Sequence, residues 1–216
     1  MDLVQATEVV GGLSKPSKMP CYSYSIPAIN CKVGSALRKV KGSVCHGCYA
    51  MKGFYNFPAV KNALEKRLAS IDNPKWVEAM AFLINYYFQR KGVSFFRWHD
   101  SGDIQSFDHL LNILKVVALT PKVKHWIPTR EYGIIAQLIK SDIVVPKNIN
   151  IRLSASMIDG NYPKLNAEYI TYSGVHTTDK AGKGVFSCPA LKQDNECKDC
   201  RACWNRKVSK VSYHKH

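Results

Sequence analysis

Acidic residues are scarce in this chain, and they are missing where they would matter most. Between Glu8 and Glu65 there is not one Asp or Glu, while the same stretch holds Lys15, Lys18, Lys32, Arg38, Lys39, Lys41, Lys52 and Lys61. Over all 216 residues, 31 Lys and Arg stand against 16 Asp and Glu, a formal charge of +15. A surface so charged would stabilise an anionic thiolate cluster nearby, and it attracts polyanions, nucleic acid among them. No apolar run approaches the roughly 18 residues of a membrane span, which excludes that class of membrane protein. The opening Met-Asp-Leu-Val-Gln lacks the basic start and apolar run of a secretory leader. A cytoplasmic location is expected. Cysteine is absent between Cys48 and Cys188, so thiols are not ordinary core filler here.

What is present falls at the two ends. Cys21, Cys31, Cys45 and Cys48 form one set, and Cys188, Cys197, Cys200 and Cys203 the other. A chain this long buries enough core to fold without disulfides. In a reducing compartment paired thiols mean metal more often than bridges. Cys197-x-x-Cys200-x-x-Cys203 can wrap three corners of a 4Fe-4S cube, and Cys188, followed by Pro189, can supply the fourth. The first set, which carries its own Cys45-x-x-Cys48, reads as a second metal site. Zinc satisfies four-cysteine sites as well.

Between the two sets the pattern alternates. Residues 1–57 read as an irregular basic segment with one short strand at 22–26. A helix is expected from Pro58, and another after Asn73-Pro74, ending at Gly92. Strands follow at 93–98, 123–127, 148–153 and 168–172, with helices at 107–119 and 132–140 between them. This is the signature of parallel β-α units. The expectation is an α/β fold of one domain, a partial or distorted parallel β/α barrel over 58–176, with cysteine-containing segments at 1–57 and 177–216. A Gly/Lys-rich loop spans 177–184. His214 and His216 receive no role.

In parallel β/α folds chemistry gathers where strands end. The strand Phe95-Phe96-Arg97-Trp98 runs into His99-Asp100-Ser101-Gly102-Asp103. His99, Asp100 and Asp103 are therefore the candidate catalytic residues, the alternative being a helix-entry turn capped by Asp103 or Ser106. Arg130, after the next strand, and Arg152, inside an apolar one, are candidates with Asp103 for gripping a cofactor. Arg152 in that position implies a polar barrel interior. His176, after the last strand, ranks below His99.

Two resemblances sharpen these readings. Cys45-His-Gly-Cys48-Tyr49-Ala50 is similar to the Cys-x-x-Cys-Tyr-Ala that closes the cluster motif of several radical S-adenosylmethionine enzymes. Here the third thiol is Cys31, in the spacing Cys-x13-Cys-x2-Cys. Ser101-Gly102-Asp103 occupies the place of that superfamily's Gly-Gly-Glu-like turn. The resemblance implies a three-cysteine 4Fe-4S cluster with S-adenosylmethionine on the open iron. Over nearly the whole chain, Gly-Ser-Val-Cys-His-Gly-Cys-Tyr-Ala, Phe-Arg-Trp-His-Asp-Ser-Gly-Asp, Pro-Thr-Arg-Glu-Tyr, Arg-Leu-Ser-Ala and Cys-x-x-Cys-Arg-Ala-Cys-Trp resemble the gene product 88 family of bacteriophages and plasmids. That implies a mobile-element origin, action in the host cytoplasm, and the seven cysteines from Cys31 onward. An alternative is a non-catalytic, metal-stapled protein that binds nucleic acid.

Overall fold

Seven parallel strands make one sheet in the order β1-β2-β3-β4-β5-β7-β6. They are β1 (Tyr22–Tyr24), β2 (Phe95–Trp98), β3 (Lys124–Thr129), β4 (Ile149–Ser154), β5 (Ile170–His176), β6 (Phe186–Ser187) and β7 (Lys210–His214). The computed structural model describes residues 1–178 and 182–215. The central part of the 177–184 loop (179–181) and His216 lie outside the described residues. Helices α1 (Leu3–Val10), α2 (Lys32–Leu37), α3 (Pro58–Ser70), α4 (Trp76–Lys91), α5 (Phe107–Leu119) and α6 (Tyr132–Ile139) complete the framework. Among the described residues no helix is long and apolar enough to cross a membrane.

From β1 to β5 each crossover advances the chain one place in the same direction. A constant sense of crossover puts the connecting helices on one face of the sheet. The core confirms it: Trp76, Met80 and Leu83 of α4 and Leu110, Ile113 and Val117 of α5 bury against Phe96, Trp98, Ile127, Ile151 and Leu153 of the strands. The sheet is open, so the partial parallel β/α arrangement expected from the alternation is present. Side chains alternate along a strand, so the other face carries a different set, polar residues mixed with aromatics. Ser23, Arg97, Trp126, Asn150 and Arg152 occupy that face, in register across β1–β4. An arginine inside a strand is tolerated here because it points away from the helices.

Two expectations need correction. Residues 1–57 are not wholly irregular. Asp2 and Gln5 form a reciprocal capping box that starts α1, and Gly11 in the left-handed region (φ 73°) ends it. With eight residues and only Ala6 and Val10 buried, its period is brief. α2 buries no residue, so it leaves no apolar stripe to read. The C-terminal segment is likewise not only a cysteine loop. β7 inserts between β5 and β6 and carries His214, paired in register with His176. α4 begins at Trp76, two residues beyond Pro74, with the Asn73 side chain accepting from the Lys75 N–H at 2.9 Å.

Candidate metal centres

The first thiol group sits over the ends of β2 and β3. After β1 the chain is locked to the loop beyond β2: Ile26 N–H donates to Ser101 O at 3.1 Å, and Ser101 Oγ donates to Ile26 O at 3.0 Å. Gly102 (φ +85°) makes that approach possible. A Cβ there would lie 2.7 Å from Ile26 O. A single 3-10 turn, Ala28–Asn30, then sets Cys31 at the start of α2. Cys45 returns on a loop held by Ser43 Oγ donating to Leu37 O (2.6 Å) and Val44 N–H donating to Ser156 O (2.9 Å). A methyl at Gly34 would sit 3.6 Å from Cys31 Sγ and 3.8 Å from Cys45 Sγ, so both sulfurs face one spot. The Cys48 N–H donates to Cys45 O at 3.2 Å, closing the Cys-x-x-Cys turn.

Charged groups ring these thiols. Burial pushes Cys31 up to about 12, and Asp103, Cys48, Cys45 and Glu131 add to the rise. Burial also raises Cys45, against the pull of the Arg130 guanidinium. Asp103 is 7% exposed. Burial lifts its carboxyl to about 6, although it accepts from Thr129 Oγ1 (2.6 Å), Arg130 N–H (3.0 Å) and Ile104 N–H (2.8 Å). Ser106, not Asp103, caps α5, accepting from His109 N–H at 3.0 Å. Glu131 accepts from Val33 N–H at 3.0 Å.

The other candidates divide. Asp100 lies on the helix-free side, accepting from Ser23 Oγ (2.9 Å), Ser25 Oγ and Tyr55 Oη (2.9 Å), while Tyr49 Oη donates to its carbonyl. It ties the chain after Cys48 to β1. His99 is not at that mouth. It takes a left-handed backbone (φ 57°), is 3% exposed, and packs against Trp98 and His109. Both its ring nitrogens lack partners, and burial holds it well below the ordinary histidine value. Arg152 is fully buried and spends its fork on backbone: Nη1 to Tyr172 O (2.7 Å), Nη2 to Ala202 O (3.2 Å) and Val208 O (3.1 Å). It clamps the C-terminal segment. His176 bonds Ser212 Oγ at 2.7 Å through Nδ1.

The second group forms where residues 188–204 cross the helix-free face. Cys188 N–H donates to Ser212 O (2.8 Å) and Cys197 N–H to Lys18 O (3.0 Å). Asn150 Nδ2 donates to Cys203 O (2.8 Å), and Trp204 Nε1 to Phe96 O (2.9 Å). Burial raises Cys188, Cys197 and Cys203, the last to about 12, and neighbouring thiols add to the rise at Cys188 and Cys197. Cys203 Sγ lies 3.1 Å from Tyr213 Oη.

Cys21 belongs here and not with the first set. It is buried with Trp126, Trp204 and Cys203, and burial lifts it to about 12, with Arg97 opposing and Cys197 adding. The expectation that both cysteine sets lie at the same end of the barrel, as separate sites, does not hold for Cys21 and Cys200. Asp103 and Arg130 follow their strands, whereas Cys21 precedes β1, and Cys200 lines a cleft with Phe95, Lys124 and Ile149, residues that begin theirs. Among the described residues no three His, Cys, Asp or Glu side chains are grouped to hold a single metal ion. All eight cysteines are free thiols.

Sequence reasoning missed Glu131, Tyr213, Arg97 and Trp204. Arg97, an arginine between aromatics in a strand, carried the same signal as Arg152. Its guanidinium stands 4.7 Å over the Trp126 ring. Tyr213 left no signal, because its role depends on β7 pairing.

No curated protein and no solved structure matches the chain. A family model does, the one described as gene product 88, over residues 4–206. That span contains both thiol groups with Cys21 and stops short of β7, and on its strength the chain belongs to the gene product 88 family.

Proposed function

We propose that this chain is an iron–sulfur protein with two centres, the first of them open to a small-molecule ligand. The observation that carries the reading is the convergence of thiols from distant parts of the chain into two groups. Cys31 and Cys203, which burial raises to about 12, are poor nucleophiles as thiols. Their protons leave when a metal takes the sulfur. The donor set fits 4Fe-4S clusters, three thiols at Cys31, Cys45 and Cys48 and four at Cys188, Cys197, Cys200 and Cys203. Charge supports the second centre. Arg152 is buried with no carboxylate, since the one ion pair among the described residues is Lys198–Asp194. An uncompensated buried cation is costly, and an anionic thiolate centre beside Arg152 and Arg97 offsets it.

Because Cys21 lies with the second group, no fourth cysteine joins the first. An open iron there would supply reductive cleavage of S-adenosylmethionine, as in the radical enzymes that the cysteine motif resembles. Asp103 and Arg130 flank that position, the one to hold an amine and the other a carboxylate. The cysteine loop after β1 and the Ser-Gly-Asp turn after β2 support this arrangement. The second centre reads as a staple: its thiols ride on a segment fastened to Lys18, Asn150 and Phe96, and zinc in that position would staple equally well.

Anaerobic purification with iron, sulfide and zinc analysis tests the proposal. About eight irons per chain and a broad absorbance near about 400 nm are expected. Cys48→Ala should remove the first centre's iron and leave the second's. With dithionite and S-adenosylmethionine, the intact protein should release 5′-deoxyadenosine and the Cys48→Ala variant should not. A colourless protein holding only zinc overturns the iron–sulfur reading. Full iron without S-adenosylmethionine binding or cleavage overturns the enzymatic one.

A further inference from the structure

At the edge where the strands begin, away from the first thiol group, the molecule opens into a cleft of about 1070 Å3. Its walls carry Lys122, Lys124, Lys147, Arg201, Arg206 and Lys207, and no Asp or Glu lines it. None of the six takes part in an ion pair among the described residues. The two arginines build the walls. Arg206 donates to Ile149 O (2.6 Å) and Pro146 O (2.7 Å), and Arg201 lies 5.2 Å over the Phe95 ring and donates to Cys200 O at 2.9 Å. The four lysines are exposed and face the opening. Phe95 and Phe186 also line the cleft, and Phe186 is 40% exposed.

We infer that this cleft binds single-stranded nucleic acid. Four exposed ammonium groups around one concavity suit a ligand with several phosphates along its length. A small anion would need only one or two of them, and the volume is at the upper end for a small-molecule pocket. The exposed phenylalanine favours a single strand over a duplex, because only unpaired bases offer a face for stacking. Lysine is a point charge that contacts phosphate without reading sequence, so binding is tolerant of sequence and steep in salt. The lysines themselves lie outside both thiol groups, although Cys200 of the second lines the same cleft.

The test is fluorescence anisotropy with a labelled single-stranded oligonucleotide of mixed sequence and a duplex of the same length, on the full chain. Binding of the single strand should weaken with salt with a log–log slope of about −3, the value for four phosphates on a single strand. Replacing Lys122, Lys124, Lys147 and Lys207 together by Gln should reduce affinity by about tenfold or more at low salt and flatten the slope. Replacing Lys39, Lys41, Lys61 and Lys66 by Gln removes the same charge elsewhere and should leave affinity within about twofold. Phe186→Ala should cost about fivefold or more for the single strand. Circular dichroism melts of each variant show that folding is retained. Equal losses in both lysine variants, tighter binding of the duplex, or no binding at low salt would overturn the inference.

Discussion

Arg152→Met separates the metal reading from a purely structural one. Methionine keeps much of the stem's volume and deletes the guanidinium. Three bonds go, to the carbonyls of Tyr172, Ala202 and Val208. At about 1 kcal/mol net each, their loss costs about 3 kcal/mol. In metal-free protein the same change relieves a buried cation that has no carboxylate, a gain of similar size, so the stability of that form should move by no more than about 1 kcal/mol. In loaded protein the sign changes. Arg152 acts on the neighbouring Cys203, and across a few ångströms at an effective dielectric of about 20 a thiolate centre interacts with a guanidinium by about 3 kcal/mol. Losing that attraction should make the metal about a hundredfold easier to remove. The assay is competition with a graded chelator, read by loss of visible absorbance, alongside urea unfolding of the metal-free form. If Arg152→Met destabilises the metal-free chain by about 3 kcal/mol or more and leaves chelator competition unchanged, the cation serves the backbone alone and the charge argument fails.

Gly34→Ala should lower iron at the first centre with little change in melting temperature, because its Cβ would meet Cys31 Cβ at 2.8 Å while alanine favours the helix. Metal analysis at unchanged second-centre content checks it. Trp204→Ala should cost about 3–5 kcal/mol in urea unfolding, since the ring is 5% exposed, stacks edge-on against Phe95 and Trp126 and donates to Phe96 O. Trp204→Phe should recover most of the packing. Acid should destabilise the fold early. Burial holds His125 down to about 3 and His109 to about 4, and His99 well below 6.5, so the folded state excludes protons that the unfolded chain takes up as pH falls through 6.5. Asp103, raised to about 6, works the other way and returns about 1 kcal/mol. From pH 7 to pH 5, His125 and His109 together should cost about 4 kcal/mol, less the Asp103 return, and His99 adds to the loss; a flat urea midpoint over that range would contradict it.

The alternation from Phe95 onward was legible because each strand and helix buries its own apolar face: β2, α5, β3, α6 and β4 fall within a residue or two of where period and turn signals put them. The cysteine spacing likewise marks both thiol groups, since a Cys-x-x-Cys turn is a local device. What sequence does not carry is which side of a sheet a residue faces and what crosses over it. His99 adjoins Asp100 in the chain, yet a single left-handed backbone step turns it into the helix-packed core while Asp100 stays on the helix-free face. Arg152 reads as a ligand grip until residues 202–208 arrive to take its donors. Cys21 sits ten residues from Cys31 but is carried by β1 to the strand-start edge, where residues 188–204 meet it. β7 joins the sheet only because β5 leaves an edge for it, and Tyr213 reaches Cys203 by that pairing. Local periodicity and spacing are properties of the chain. The facing of side chains, and the partners that bury their charge, are settled only when distant segments pack.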